Sequence, residues 1–278
     1  MASTLSAFSE AFSAYLKNLG NCLAYSILFG LACAAVLSVL AAIAFVFGIL
    51  SVGSLVGIFA GNGTLSLSLV VMGGVLLVLL LGALIVFWLL SGLYGSYYET
   101  RYAMLSGKKL SLARFFSAIP ARATPIFLAQ AACGLIVAVP SALLVAAGWA
   151  ADGGSGTVSL LALVAAKLYG AIIGFLSIFI TASIVADGRG AADSVRHSFS
   201  LVARHTAPSL LFVLFSLAVS IPALLALAVP VALSVLNVAG GIVGVLAALS
   251  FLFIAAYCLF FSFPIIVLAN LALYRKLR

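Results

Sequence analysis

The residues whose types could perform chemistry are few, and most of them lie close together. Asp187 is followed by Asp193, His197 and His205. Acids near histidines could hold a divalent metal or transfer protons. Holding a divalent metal against a pyrophosphate takes several carboxylates, and only two acids are available here. We therefore predict no enzyme and no catalytic, cofactor or metal site. Asp187 and Asp193 are interpreted as an acidic motif at the inner end of a membrane span, and Asp193 favours the positive N-terminus of the next helix.

One lysine lies where a membrane protein rarely places a charge. Lys167 is about ten residues into an apolar run that covers 158–186. A charge inside a span is by default a candidate functional residue. Alternatively, residues 168–186 alone could cross the membrane, and Lys167 would then reach the outer interface. Asp152 is its only acidic candidate partner on that side. Both interpretations stay open at this point.

The composition decides the class of protein that must position these residues. Hydrophobic residues make up 66% of the 278 residues and charged residues only 6%. A soluble domain carries about 25% charged residues. So apolar a chain cannot cover itself with a polar surface. The four cysteines show no spacing typical of metal ligands. The composition therefore predicts an integral membrane protein.

Six apolar segments are each long enough to cross a bilayer, which takes about 20 helical residues. Backbone groups in lipid must be paired within the segment, so each segment is predicted to be a helix. The predicted spans are 22–50, 67–95, 124–150, 158–186, 209–236 and 242–273.

The basic residues predict the orientation of these spans. Twelve of the thirteen Lys and Arg residues fall in the N-terminal tail, in loops 96–122 and 187–208, and in the C-terminal tail. The opposite loops, at 51–66, 151–157 and 237–241, hold none. Short loops rich in Lys and Arg are retained in the cytoplasm. We therefore expect a multi-pass protein of the cell membrane with both termini in the cytoplasm.

The predicted fold is all-α: a polytopic membrane helix bundle in which six transmembrane helices form three hairpins. The whole chain, 1–278, is treated as a single membrane domain. It divides into an interfacial helix at 1–20, a first hairpin at 22–95, an interfacial helix with the second hairpin at 110–186, and an interfacial helix with the third at 189–273.

A short element recurs before each predicted hairpin. It reads FSAYLK at 12–17, FSAIPAR at 116–122 and FSLVAR at 199–204. In the first copy, apolar residues recur at steps of three and four, which is typical of one face of a helix. Pro120 is expected to interrupt the middle copy. The pattern predicts three short amphipathic helices on the cytoplasmic side of the membrane.

A helix with an apolar face and a basic edge is suited to the membrane interface. Its cations can meet anionic headgroups, at about 1 kcal/mol each near the surface. We expect five residues to make possible lipid-headgroup contacts: Lys17, Arg114, Arg122, Arg196 and Arg204.

The acid at 187 and the segment DSVRHSF at 193–199 resemble a known pattern. They are similar to uncharacterised six-span membrane proteins of bacteria and archaea, which are related to the membrane domain of glycerophosphodiester phosphodiesterases. Residues 106–112 (SGKKLSL) are also similar to the first cytoplasmic loop of that family. The resemblance implies a membrane module of unclear role and carries over no catalytic residues. The soluble phosphodiesterase domain has no counterpart here, so its activity is not inferred.

The sequence favours a membrane scaffold or accessory module over an enzyme. Its expected partners are membrane lipids, through anionic headgroups on the cytoplasmic side. A protein partner or further copies of the chain are the other candidates, and no nucleic acid is expected. The main alternative is a small transporter or channel that uses Lys167 and the proline-kinked helices. Transport normally requires several polar groups near the middle of the membrane, and the predicted spans offer mainly serine and threonine.

Overall fold

A computed structural model describes residues 2–59, 65–108, 111–151, 156–235 and 240–278. These residues form an all-α bundle without strands. Its helices are α1 (Ala2–Lys17), α2 (Leu19–Phe59), α3 (Leu65–Leu105), α4 (Leu112–Ala151), α5 (Thr157–Leu176), α6 (Ile180–Asp187), α7 (Ala191–Arg204), α8 (Thr206–Val235), α9 (Gly240–Tyr257) and α10 (Phe263–Leu277), with a π-helical segment, Cys258–Ser262, between the last two.

Six helical stretches are long and apolar enough to cross a membrane, which confirms the predicted number. They are Leu19–Val46, Gly73–Leu105, Leu112–Ala151, Thr157–Asp187, Thr206–Val229 and Val243–Leu277. The fourth stretch combines α5 and α6, and the sixth combines α9, the π-helical segment and α10.

The helices extend well beyond the apolar runs that predicted them. The loop expected at 96–122 is wrong in its bounds, because α3 continues to Leu105 and α4 begins at Leu112. Glu99, Arg101 and Arg122 lie on these helices and contact residues of other helices. Arg101, counted in the sequence as a loop cation, is a fully buried residue of α3.

The expected interruption at Pro120 is also wrong. Helix α4 is continuous and contains Pro120, Pro125 and Pro140. A proline removes a single N–H donor, and a helix in a bundle can tolerate this when neighbouring groups compensate for the lost bond. Close packing against α3 holds α4 at this point, where a Cβ on Gly92 would lie 2.7 Å from the carbonyl oxygen of Ile119.

The core of the protein lies where three helices meet near the chain termini. Helices α3, α6 and α10 contact one another, while α2, α4 and α8 pack along α3, α5 and α9, respectively. Buried aromatic and aliphatic side chains fill the meeting point; the largest include Tyr97, Phe115, Phe179, Leu268, Leu271 and Tyr274. Towards the opposite ends of the spans, large apolar side chains are mostly exposed, as lipid-facing surfaces require.

Two of the three recurring elements form separate helices. The first is α1, which ends at Lys17, and the third is α7, which ends at Arg204. Helix α1 buries a face that includes Ala7 and Ala11 against its neighbours, while Leu5 is 68% exposed and Phe12 is 47% exposed. The middle copy is instead the first part of α4. An amphipathic interfacial role for these segments stays a prediction.

Candidate functional site

The most unusual side chain in the core is Arg101. It is 0% exposed and lies one turn before the end of α3. Its Nη2 donates to Tyr97 Oη at 2.7 Å, to Ser26 Oγ at 2.8 Å and to the carbonyl oxygen of Cys22 at 3.0 Å. Its guanidinium carbon also lies 4.3 Å from the centre of the Tyr97 ring. Arg101 therefore joins α3 to the beginning of α2.

No carboxylate balances this buried charge among the described residues. The ion pairs among the described residues involve other cations, and the Nε of Arg101 has no hydrogen-bond partner there. Neutral oxygen and sulfur atoms must therefore stabilise the guanidinium. The sulfur atom is Sδ of Met104, which accepts from Nη1 at 3.4 Å.

A second unusual feature is a break in the fourth span. Helix α5 ends at Leu176 and α6 begins at Ile180. Ser198 Oγ on α7 donates to the carbonyl oxygen of Leu176 at 2.7 Å and accepts from the backbone N–H of Phe179 at 3.2 Å. Asn270 Nδ2 on α10 donates to the carbonyl oxygen of Ile178 at 2.9 Å. Distant side chains therefore satisfy backbone groups that the helix releases, as lipid-embedded breaks require.

This arrangement predicts the effect of removing the Ser198 hydroxyl. We expect Ser198→Ala to lower the free energy of unfolding by about 1–3 kcal/mol, since a buried donor and a buried acceptor lose their partner. Ser200→Ala removes an exposed hydroxyl from the same helix and should cost less than about 0.5 kcal/mol. Reversible unfolding in mixed micelles would measure both. Equal stabilities of the two variants would contradict the role assigned to Ser198.

A cavity of about 390 Å³ lies beside this break. Helices α3, α4 and α6, together with the break itself, line it with uncharged polar groups. These lining residues are Tyr94, Tyr98, Gln130, Cys133, Ser177 and Thr181. Small-molecule sites have volumes of about 300–1,000 Å³, so this cavity is large enough for a small ligand.

The two chain termini and the C-terminal ends of α3 and α6 carry a group of ion pairs, here called the charged end. Its three acids are Glu10, Glu99 and Asp187, and each contacts two cations. Glu10 pairs with Arg275 and Lys276, Glu99 with Arg114 and Arg122, and Asp187 with Arg189 and Arg278. These pairs connect α1 to α10, α3 to α4, and α6 to the end of α10.

Two of the five residues expected to contact lipid headgroups therefore form ion pairs within the protein. Arg114 lies 3.2 Å and Arg122 lies 3.0 Å from Glu99 oxygens. Arg122 also donates to the carbonyl oxygen of Ile184 at 3.1 Å. Their arrangement suits holding α4 on α3 and α6 at least as well as binding a headgroup.

The other three expected contacts remain exposed. Lys17, Arg196 and Arg204 have exposed side chains, and none of them pairs with a carboxylate in the part of the chain that the structure describes. Lys108 is exposed in the same way. We call these four residues the unpaired basic rim.

The acidic motif divides into a paired and an exposed residue. Asp187 accepts a hydrogen bond from the hydroxyl of Tyr274 at 2.5 Å in addition to its ion pairs, whereas Asp193 is exposed in the first turn of α7. His197 packs edge-on against Tyr274, and burial together with the charge of Arg189 lowers the pKa of His197. Within the described ranges, no three His, Cys, Asp or Glu residues are grouped as metal ligands would be.

Lys167 lies on α5, ten residues after Thr157, which is about 15 Å along the helix axis. Its side chain is exposed and lines a largely apolar groove of about 550 Å³ together with Ser141, whose buried hydroxyl has no partner within the described residues. Asp152, the acid considered as its partner, lies outside the described residues.

Sequence reasoning missed Arg101 and the cavity. Arg101 follows an apolar run by several residues, so it resembles any cytoplasmic loop cation. Of the cavity residues, only Ser177 and Thr181 stood out, as polar residues within a span. A helical spacing did exist for Arg101: Tyr97 precedes it by four residues and therefore lies on the same helix face.

Comparisons of the chain with family models, with curated proteins and with solved structures find no match. The resemblance to six-span proteins related to phosphodiesterase membrane domains therefore stays a prediction from short motifs. Function must be argued from the geometry of the charged end and of the core.

Proposed function

We propose that this protein is a membrane scaffold or accessory module that binds anionic lipid headgroups at its charged end. The observation that carries the proposal is the division of the basic residues into two sets. The acids Glu10, Glu99 and Asp187 engage six cations, while no residue of the unpaired basic rim forms an ion pair in the part of the chain that the structure describes.

The surroundings of the rim support a membrane-surface role. Exposed apolar residues lie on the segments that carry the rim or adjoin it, including Leu5, Phe12, Leu16 and Leu19 near Lys17. A segment with both features can insert its apolar residues among the acyl chains while its cations contact phosphate groups. With the rim in the cytoplasm, anionic lipids of the inner leaflet would be its partners.

The matched test compares two variants that each lose two positive charges. Arg196→Gln/Arg204→Gln removes cations of the rim, whereas Arg275→Gln/Lys276→Gln removes cations that Glu10 already engages. At about 1 kcal/mol for each cation, the rim variant should reduce the enrichment of anionic lipid around the protein by about tenfold or more. The control should reduce it much less.

Mass spectrometry of lipids retained by each protein from nanodiscs of mixed phosphatidylglycerol and phosphatidylcholine provides the measurement. Raising the salt concentration should reduce the enrichment around the wild type, because exposed charges are screened. Equal losses in the two variants would contradict selective binding by the rim.

A second candidate function is transport, and one observation favours it. The cavity beside the helix break and the groove of Lys167 follow each other along α4, where Cys133 lines the first and Val137 lines the second. Broken helices that line a cavity are typical of transporter binding sites. Uptake into proteoliposomes that Lys167→Gln abolishes would support transport, and its absence for a panel of polar solutes would favour the scaffold.

A further inference from the structure

We propose that the cavity beside the break between α5 and α6 is a binding site for an uncharged polyol, of about the size of a monosaccharide. The ligand is either a free polyol or the hydroxylated headgroup of an uncharged lipid. This site is distinct from the charged end, so the proposal stands independently of headgroup binding by the basic rim.

Three side chains present unused hydrogen-bond donors at the cavity. Ser91 Oγ has one proton and lies 2.8 Å from the carbonyl oxygen of Phe87 and 2.9 Å from one end of the Gln130 amide, so at least one amide N–H of Gln130 is left for another partner. Tyr98 accepts from Tyr94 through its hydroxyl oxygen at 3.2 Å, which leaves the Tyr98 proton. The hydroxyl of Thr181 makes no hydrogen bond within the described part of the protein.

These donors lie on three different helices, which constrains the ligand. Tyr98 belongs to α3, Gln130 to α4 and Thr181 to α6. A ligand with a single oxygen atom can satisfy only one or two of them. A ligand with several hydroxyl groups can satisfy all three, because each hydroxyl oxygen accepts hydrogen bonds and also donates one.

The remaining walls favour an uncharged ligand with C–H surfaces. Among the residues that the structure describes, no Lys, Arg, Asp or Glu lines the cavity, and a charged ligand would lose its hydration without gaining an opposite charge. The rings of Tyr94 and Tyr98 lie 4.9 Å apart at 58°. Such aromatic surfaces can pack against the carbon skeleton of a polyol. A purely apolar ligand would leave the three donors unpaired, at a cost of about 1–3 kcal/mol each.

The hydrogen bonds at the break between α5 and α6 are those of a specific site and not of a disrupted helix. Its released backbone groups are paired with Ser198 and Asn270, which come from outside the hairpin. Ser177 bonds to the carbonyl oxygen of Ile173 at 2.7 Å, but within the described residues Tyr98, Gln130 and Thr181 make no bond to the broken helix. They remain for a ligand.

Cys133 provides a direct probe, because it lines the cavity and is partly exposed. In a protein whose other three cysteines are alanine, we would measure the rate at which N-ethylmaleimide modifies Cys133. The free probes are myo-inositol and glucose. The lipid probe is a nanodisc containing monoglucosyl-diacylglycerol, with dioleoyl-phosphatidylglycerol as the charged comparison. The matched control retains Cys33 alone, a partly exposed residue of α2 that does not line the cavity.

We expect a free or lipid-borne polyol to slow modification of Cys133 at least tenfold while modification of Cys33 is unchanged. Protection by the free probes would identify a soluble ligand, and protection only in the monoglucosyl-diacylglycerol nanodiscs would identify a lipid. Gln130→Leu/Thr181→Val should lower the affinity for the protecting ligand at least tenfold, since two hydrogen bonds are lost. If that variant fails to fold, Tyr98→Phe makes the same comparison by removing one hydroxyl.

Three results would overturn the proposal. The first is that no probe protects Cys133, which would leave the cavity to water or acyl chains. The second is equal protection by phosphatidylglycerol, which would contradict an uncharged ligand. The third is protection that survives both Gln130→Leu/Thr181→Val and Tyr98→Phe.

Discussion

The Ser26→Ala/Tyr97→Phe variant should lose about 3 kcal/mol or more of its free energy of unfolding. Each substitution removes an oxygen that accepts from Arg101, at 2.8 Å and 2.7 Å. Hydrogen bonds to charged groups contribute about 1.5–3 kcal/mol each. The variant also leaves a fully buried guanidinium with fewer acceptors, which is the costly case for a buried charge. Unfolding in mixed micelles would measure the loss.

Replacing the charge itself should reverse most of this loss. Arg101→Met in the same background removes the guanidinium and retains an unbranched side chain of similar length, so the missing oxygens no longer matter. Ser38→Ala/Tyr169→Phe is the matched control, because it makes the same chemical changes where the hydroxyls bond to backbone carbonyls on exposed helix surfaces. If Arg101→Met failed to restore stability, or if the control lost as much stability, the buried charge of Arg101 would not be the cause of the loss.

A methyl group added to either of two glycines of α3 should also be strongly destabilising. A Cβ at Gly92 would lie 2.7 Å from the backbone oxygen of Ile119, and a Cβ at Gly95 would lie 2.5 Å from Arg122 Cβ. Because neither neighbour is the free end of a flexible side chain, α3 and α4 would have to separate. Overpacking of this kind typically costs about 1–3 kcal/mol, and Gly92→Ala/Gly95→Ala should cost more than either alone.

Gly82→Ala supplies the control on the same helix, since a Cβ there would have no neighbour within 4 Å. Alanine is also the better helix former, by about 1 kcal/mol in water. We therefore expect Gly82→Ala to leave stability unchanged or raised. Similar losses at Gly82 and Gly92 would mean that the close approach of α3 and α4 does not determine the effect.

The membrane-spanning pattern could be predicted from the sequence because it depends on hydropathy and length alone. The ends of the helices could not, because they depend on neighbours. Helix α3 continues to Leu105 through Tyr97, Glu99 and Arg101, whose polar groups find partners on α2 and α4. A hydropathy scale assigns such residues to a loop, because it reflects their polarity and not their hydrogen-bond and ion-pair partners.

The break between α5 and α6 could not be predicted from the sequence either. No glycine or proline occurs between Leu176 and Ile180 to predict it. Its stabilising partners, Ser198 and Asn270, are separated from it by 19 to 92 residues along the chain. A periodic apolar pattern therefore predicts one helix where tertiary hydrogen bonds allow two. The opposite error occurred at Pro120, where packing against α3 keeps a helix continuous that local rules would interrupt.

The recurring elements were found in the sequence, but their pairing was not. Glu10, Glu99 and Asp187 share no spacing with these elements, although each joins neighbouring helices at the charged end. Knowledge of these pairs separates the cations that form ion pairs between helices, such as Arg122, from those with no ion pair among the described residues, such as Arg204. Net charge alone, at +8, cannot make this distinction.

The composition of the lipids retained by the purified protein tests the central proposal most directly. Wild-type protein and the Arg196→Gln/Arg204→Gln variant would be extracted into nanodiscs from the same mixed membrane, and their bound lipids quantified by mass spectrometry. We predict that anionic lipids are enriched around the wild type relative to the membrane and that the variant loses this enrichment. Bound lipid of the same composition as the surrounding membrane, in both proteins, would contradict a scaffold that binds anionic headgroups.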